Sequence, residues 1–204
     1  LSWDEERRAV QRVRVRRYGA LVLETTPASG PPDANAVAEI LATSACSDPA
    51  HAFGLSKRPE VTQFLLRVQW MRTQKPEMNI PEVTALKPND VPSEELRQLC
   101  MGYKSFSELG RMDLLSFLRG QLGYQTCQQI DQAAPSHLTL PDGTNKALQY
   151  RDGEPPVLAT RFERLFGLTE TPTVAGIAVT LHLLAPNMRP IQVTSDLAGF
   201  WANT

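Results

Sequence analysis

Cysteine and histidine are scarce, three of each in 204 residues. Cys46, Cys100 and Cys127 are odd in number and widely spaced, which argues against a disulfide framework and fits a reducing compartment, so a cytoplasmic location is expected. Neither they nor His51, His137 and His182 show ligand spacing such as C-x-x-C or H-x-x-x-H, and no metal is expected. No run approaches ~18 consecutive apolar residues, and the opening "LSWDEERR" lacks a charged-then-apolar leader pattern, so no membrane partner is expected. The chain also lacks G-x-x-x-x-G-K-[ST], G-x-G-x-x-G after a strand and G-x-S-x-G. Without a phosphate cradle or a nucleophile elbow, the chain by itself is expected neither to hydrolyse ATP nor to catalyse another reaction.

With 42% hydrophobic and 21% charged residues the chain reads as globular, and its formal net charge is only −1. That near-neutrality hides an asymmetry. Residues 1–18 carry six arginines against Asp4, Glu5 and Glu6, a local +3, and the remainder is −4. In "VQRVRVRRY" the residues alternate, which predicts a strand with Val13 and Val15 facing the core and Arg12, Arg14 and Arg16 outside, followed by Arg17. Guanidinium forks suit phosphate oxygens, so the row is a candidate nucleic-acid ridge; a solvated charged face is the competing reading. "ALVLETTP" predicts a second strand, turned back through Tyr18-Gly19.

Past the Pro/Gly/Ser linker "PASGPPD", Asp33 is placed to cap a helix bearing Val37, Ile40 and Leu41. "PEVTQFLLRVQWMRTQK" predicts another helix with Val61, Leu65, Val68 and Trp70 or Met71 on one stripe, Trp70 being read as core. Ser93, and Ser105 with Glu108, mark further helix starts. From Pro135 the character changes: a hairpin around Pro141-Asp142-Gly143, an amphipathic helix in "PPVLATRFERLFG" resting on Leu158, Phe162 and Leu165, then two alternating strands around "APNMRP". His182 falls opposite the core face of its strand, and Asp152 and Glu154 read as turn residues. Asp196 is expected to open a helix capped by Thr194 or Ser195, with Phe200 and Trp201 packing it on the sheet. The fold class expected is α+β: an N-terminal β-hairpin (1–30), a helical middle (31–134), and a C-terminal unit (135–204) of two hairpins in a small antiparallel sheet with a packed helix.

Several linked features carry a resemblance. They are Leu140-Pro141-Asp142-Gly143 before a strand ending in Tyr150, Pro155-Pro156 before Phe166-Gly167, Thr171-Pro172, and Arg189-Pro190-x-Gln192-x-Thr194-x-Asp196-Leu197 running to Phe200-Trp201. Together with "RRYGALVLETTPASGPPD", "VTQFLLRVQWMR" and "FSELGRMDLLSFLRGQL" upstream, they resemble the carboxy-terminal region of bacterial HrpB-type ATP-dependent helicases, relatives of the DEAH-box RNA helicases. The resemblance implies that the ATPase core, with ATP and Mg, lies in motor domains elsewhere in the parent protein, and that this chain is a piece of something longer. It implies a structural role for Pro155, Pro156, Arg189, Pro190, Gln192, Thr194, Asp196, Phe200 and Trp201. The expected function is a noncatalytic accessory region helping to hold or guide single-stranded RNA or DNA beside the motor, with the motor domains themselves and other proteins as further partners. The alternative is a protein-interaction or architectural module that touches no nucleic acid.

Overall fold

A computed structural model describes residues 1–28 and 30–203; Ser29, inside the expected linker, lies outside the described residues, as does Thr204. In chain order the elements are β1 (Ser2–Asp4), β2 (Ala9–Gln11), β3 (Val13–Tyr18), β4 (Leu21–Pro27), α1 (Ala34–Cys46), α2 (Pro49–Ala52), α3 (Pro59–Gln74), α4 (Glu94–Cys100), α5 (Phe106–Leu109), α6 (Leu114–Leu122) and α7 (Tyr124–Ala133). There follow β5 (His137–Thr139), β6 (Asn145–Gln149), β7 (Val157–Arg161), β8 (Thr173–Val174), β9 (Ile177–Ala178), β10 (Thr180–Leu184), β11 (Pro190–Thr194) and α8 (Leu197–Ala202). This is the α+β architecture expected: hairpins first, helices in the middle, small sheets last. The chain divides into two compact units, the first made of Leu1–Pro59 and Val83–Leu114, the second of Glu60–Glu82 and Leu115–Thr204.

In the first unit, Asp33 caps α1 by accepting the Asn35 N–H at 3.1 Å. The spacing of Val37, Ala38, Leu41, Ala42, Ala45 and Cys46 then gives one buried face, which meets Leu96, Leu99 and Cys100 of α4. Ser93 caps α4 at 3.2 Å. Arg97 of α4 reaches Glu39 of α1 at 2.6 Å. The β1–β2 hairpin, absent from the sequence reading, is tied down by Trp3, whose ring lies 4.9 Å from Phe106, and by the Val10 N–H donating to the Lys104 carbonyl at 2.7 Å. Ser105 caps α5 through the Glu108 N–H at 3.2 Å, while the Glu108 carboxylate turns back to the Lys104 N–H at 2.8 Å, one residue short of a reciprocal capping box.

The second unit is built on a five-stranded sheet of order β11-β10-β7-β6-β5. The hairpins β5–β6 and β10–β11 share that sheet as expected, but β7 stands between them and runs parallel to β10, so the sheet is mixed. The expected helix over 157–166 gives way to β7 and a single 3-10 turn, Phe162–Leu165. The reason is local and tertiary at once. Pro155-Pro156 hold the entry extended, Val157 and Thr160 are β-branched, and the gap between β6 and β10 offers hydrogen bonds along both edges, which a helix there would leave unmade. Helix α3 buries Val61, Phe64, Val68, Trp70 and Met71. Tyr150, next after β6, ties α3 to the sheet: its backbone N–H donates to Gln63 Oε1 at 2.8 Å, its hydroxyl donates to the Pro135 carbonyl at 2.7 Å, and its ring lies 5.6 Å from that of Trp70.

Candidate nucleic-acid interface

Strands β3 and β4 form a two-stranded ribbon, closed at Gly19 with φ 58°, in the left-handed region that glycine enters without a side-chain clash. The register sets Arg14 opposite Thr26 and Arg16 opposite Glu24, so the two arginines share a face with a single carboxylate; a bulge follows between Arg16 and Arg17. Arg12 lies just before the strand and donates to the Pro31 carbonyl at 3.3 Å. Among the described residues, Arg14, Arg16 and Arg17 have no ion-pair partner, and all three side chains are exposed.

The other face of the ribbon corrects an expectation. Val15 is 38% and Leu23 58% exposed on that face, and around the turn Tyr18, Leu21 and Val22 stand at 79%, 67% and 50%. Val13 and Val15 therefore do not face a core. A two-stranded ribbon with no third layer leaves both faces in solvent, whatever its alternation.

The motif positions of the C-terminal part lie at turns and caps. Pro155 is exposed and Pro156 buried, and the Pro156 carbonyl accepts the Thr180 N–H at 2.9 Å where β7 begins. Arg189 closes the β10–β11 turn through its backbone carbonyl, which accepts the Ala185 N–H at 2.9 Å, and its side chain is exposed. Pro190 opens β11, and Gln192 sits exposed opposite Leu183. Asp196 itself caps α8, accepting the Gly199 N–H at 2.9 Å, whereas Thr194 accepts the Asp196 N–H at 2.9 Å; the cap is thus Asp196 and not the Thr194 or Ser195 expected. Gly199 is demanded by that cap, since a Cβ there would come within 2.2 Å of the Asp196 carboxylate. Phe200 is buried, and Trp201 donates its indole N–H to the Leu168 carbonyl at 2.9 Å.

Sequence reasoning missed one charged cluster. Arg67, its side chain 7% exposed, donates to Asp131, and Arg119 donates to the same carboxylate at 2.6 Å. Both guanidinium groups lie over the Phe64 ring, 5.7 and 5.6 Å from its centroid. Arg67 falls on an apolar stripe of α3 and its partners lie more than fifty positions away, so no local pattern announces it. The three cysteines are buried, and burial pushes the Cys100 thiol up to about 12 and raises that of Cys127. Neither of these two is a ready nucleophile at neutral pH.

The sequence profile of HrpB_C, described as ATP-dependent helicase C-terminal, matches residues 96–204. The chain belongs to the HrpB C-terminal family. The ATP-dependent RNA helicase HrpB of Escherichia coli (strain K12) is 38% identical over 102 residues, which are 49% of this chain and 13% of that protein. Two solved structures, described as the E. coli DExH-box NTPase HrpB and the Escherichia coli DEAH/RHA helicase HrpB, each superpose over 98% of this chain with a TM-score of 0.66 at 26% identity. Residues 1–95, outside the profile match, are therefore also shared in fold with HrpB. The chain spans a quarter of those solved chains and a smaller share of the curated relative. Among the described residues no helix is long and apolar enough to cross a membrane.

Proposed function

We propose that this chain is a noncatalytic accessory region of an ATP-dependent RNA helicase, acting in the cytoplasm, and that its β3–β4 ribbon contacts single-stranded nucleic acid. ATP and Mg belong, on this reading, to motor domains of the parent protein. The observation that carries the reading is the exposed arginine row, without ion-pair partners among the described residues, on a family member whose curated relative is named an RNA helicase. A charge run that served only as a solvated face would be expected to sit among neighbouring carboxylates; here Glu24 alone stands across the ladder. Exposed Tyr18 at the tip, next to Arg17, adds a ring on which a base can stack. The exposed Leu21, Val22 and Leu23 favour a second reading, in which the ribbon docks on a protein surface of the parent helicase.

Salt dependence separates the two. Each phosphate neutralised contributes about 0.7 to the negative slope of log affinity against log salt for a single strand, so Arg12→Gln, Arg14→Gln and Arg16→Gln together should flatten the slope by about two units. The measurement is fluorescence anisotropy of a labelled oligouridylate across a salt series. Folding should be retained, because among the described residues Arg14 and Arg16 have no ion-pair partner. Equal slopes for the two proteins would discard the phosphate contact and leave protein docking as the better account.

A further inference from the structure

A second cationic surface lies in the first unit, away from any pattern visible in the sequence. A hollow of about 380 Å³ is lined by Lys57, Arg58 and Arg111, by the hydroxyl-bearing Ser56 and Ser107, and by an aromatic wall of Phe106 and His51. Among the described residues no carboxylate lines it. The nearest acidic side chain on α5, Glu108, is turned away to the Lys104 N–H at 2.8 Å, and Asp113, two residues past Arg111, is not part of the lining.

The fold assembles these groups from two segments. Gly54, with φ 63°, turns the chain out of α2 into the single 3-10 turn Leu55–Lys57. Arg58, next in line, donates to the Gly110 carbonyl at the end of α5 and so ties that turn to the segment carrying Arg111. Among the described residues Lys57 and Arg111 have no ion-pair partner, and both are exposed. On the far side of the aromatic wall, Arg8 donates to His51 Nε2 at 2.5 Å, which fixes that ring nitrogen as an acceptor; Glu5 and Asp48 line the same side as Arg8.

Two cations, Lys57 and Arg111, and two hydroxyls line an open hollow in which, among the described residues, no carboxylate takes part, and its size admits a tetrahedral oxyanion with part of an attached sugar or base. We infer that the hollow binds a backbone phosphate of a nucleic-acid strand, with Lys57 and Arg111 supplying the charge and Ser56 and Ser107 the neutral donors. The identity of the strand rests on the function proposed above; the anion site rests on its own geometry.

The test uses the whole chain and the same labelled oligouridylate. Lys57→Gln with Arg111→Gln should flatten the salt slope by about 1.4 units, equivalent to about twenty-fivefold weaker binding at 0.1 M salt relative to 1 M. The charge-keeping pair Lys57→Arg with Arg111→Lys should retain most of the slope. Arg58 is left in place because it holds the two segments together. Amide shifts on titration with inorganic phosphate should map to residues 54–58 and 107–111 in the wild type and vanish in the Gln pair. An unchanged slope in the Gln pair, or phosphate shifts elsewhere, overturns the inference; if the ribbon variant still flattens the slope in that case, the proposed function stands without this site. A flattened slope in the Gln pair with no effect of the ribbon variant supports the hollow and removes the ribbon. Phosphate shifts at the hollow without any oligonucleotide effect make it a small-anion site and overturn the strand assignment.

Discussion

Asp131→Ala should lower the stability of the second unit by about 2 kcal/mol, seen as a lower urea midpoint at pH 7 with an unchanged slope. Arg67 is the reason. Its side chain is 7% exposed, and within the chain Asp131 is its counter-ion, one carboxylate shared with Arg119. Removing one member of a fully buried pair costs about 3–5 kcal/mol, but Asp131 is 41% exposed, so water already screens part of the interaction and the lower figure applies. The two stacked contacts with Phe64 survive the substitution and limit how far Arg67 can swing out to solvent. The pH dependence follows from the same contacts. Burial pushes the Asp131 carboxyl up, yet the hydrogen bond from Arg119 and the charges of Arg67 and Arg119 outweigh it, and the net shift is below the ordinary value of 3.8. A carboxyl held low in the folded state contributes stability that is complete above its unfolded value and fades as the pH falls below about 4. The wild-type and Asp131→Ala midpoints should therefore converge towards pH 2–3. Midpoints equally far apart at pH 7 and pH 2.5 would show that the cluster acts by packing and not by charge.

What was legible in the sequence were features whose cause is local. The Asp33 and Ser93 caps and the Pro141-Asp142-Gly143 hairpin are each specified within a few residues and lie where expected, and the turn expected at Tyr18-Gly19 falls one residue on, at Gly19-Ala20. Features decided by distant neighbours were misread or missed. Val13 and Val15 alternate as a half-buried strand should, but burial needs a second layer, which the ribbon lacks. Residues 157–165 satisfy a helical stripe and a strand equally well, since Leu158, Phe162 and Leu165 fit one and Val157 and Thr160 fit the other; the open edges of β6 and β10 decided it. Trp3 and Val10 are too short a pattern to predict a hairpin, and the loop at Lys104–Phe106 that holds it is about a hundred residues away. The Arg67–Asp131–Arg119 cluster and the Lys57–Arg111 hollow share that property: their charges are unremarkable in sequence and meet only after folding. Recognition of the family needed none of this, because the turn and cap residues that carry it are local.

Leu158→Ala should be the most damaging single truncation in the sheet, costing about 3 kcal/mol. Leu158 is fully buried at the middle of the central strand, paired across to Leu148 on β6 and to Leu181 on β10, both of them buried too. A cavity at that point is walled by sheet on two sides, where hydrogen-bonded backbone cannot collapse inward, so little of the loss is recovered by relaxation. For a chain of about 200 residues this corresponds to a drop of roughly 6–12 °C in melting temperature. Two residues on, Thr160 gives the opposite sign. It is 2% exposed, and its hydroxyl has no hydrogen-bond partner among the described residues, so the fold carries an uncompensated polar group that Thr160→Val would remove at nearly constant shape. A gain of about 1 kcal/mol is expected. On a helix, residues 158 and 160 would point about 200° apart, leaving 160 on the solvent side, where Thr→Val is close to neutral and Thr→Lys is tolerated. In the strand both face apolar surroundings, and Thr160→Lys should lose several degrees while Ala159→Lys, on an exposed position, loses almost none. Thermal scans of the four variants read this directly; a harmless Thr160→Lys would return residues 157–161 to the helical reading and remove β7 from the centre of the sheet.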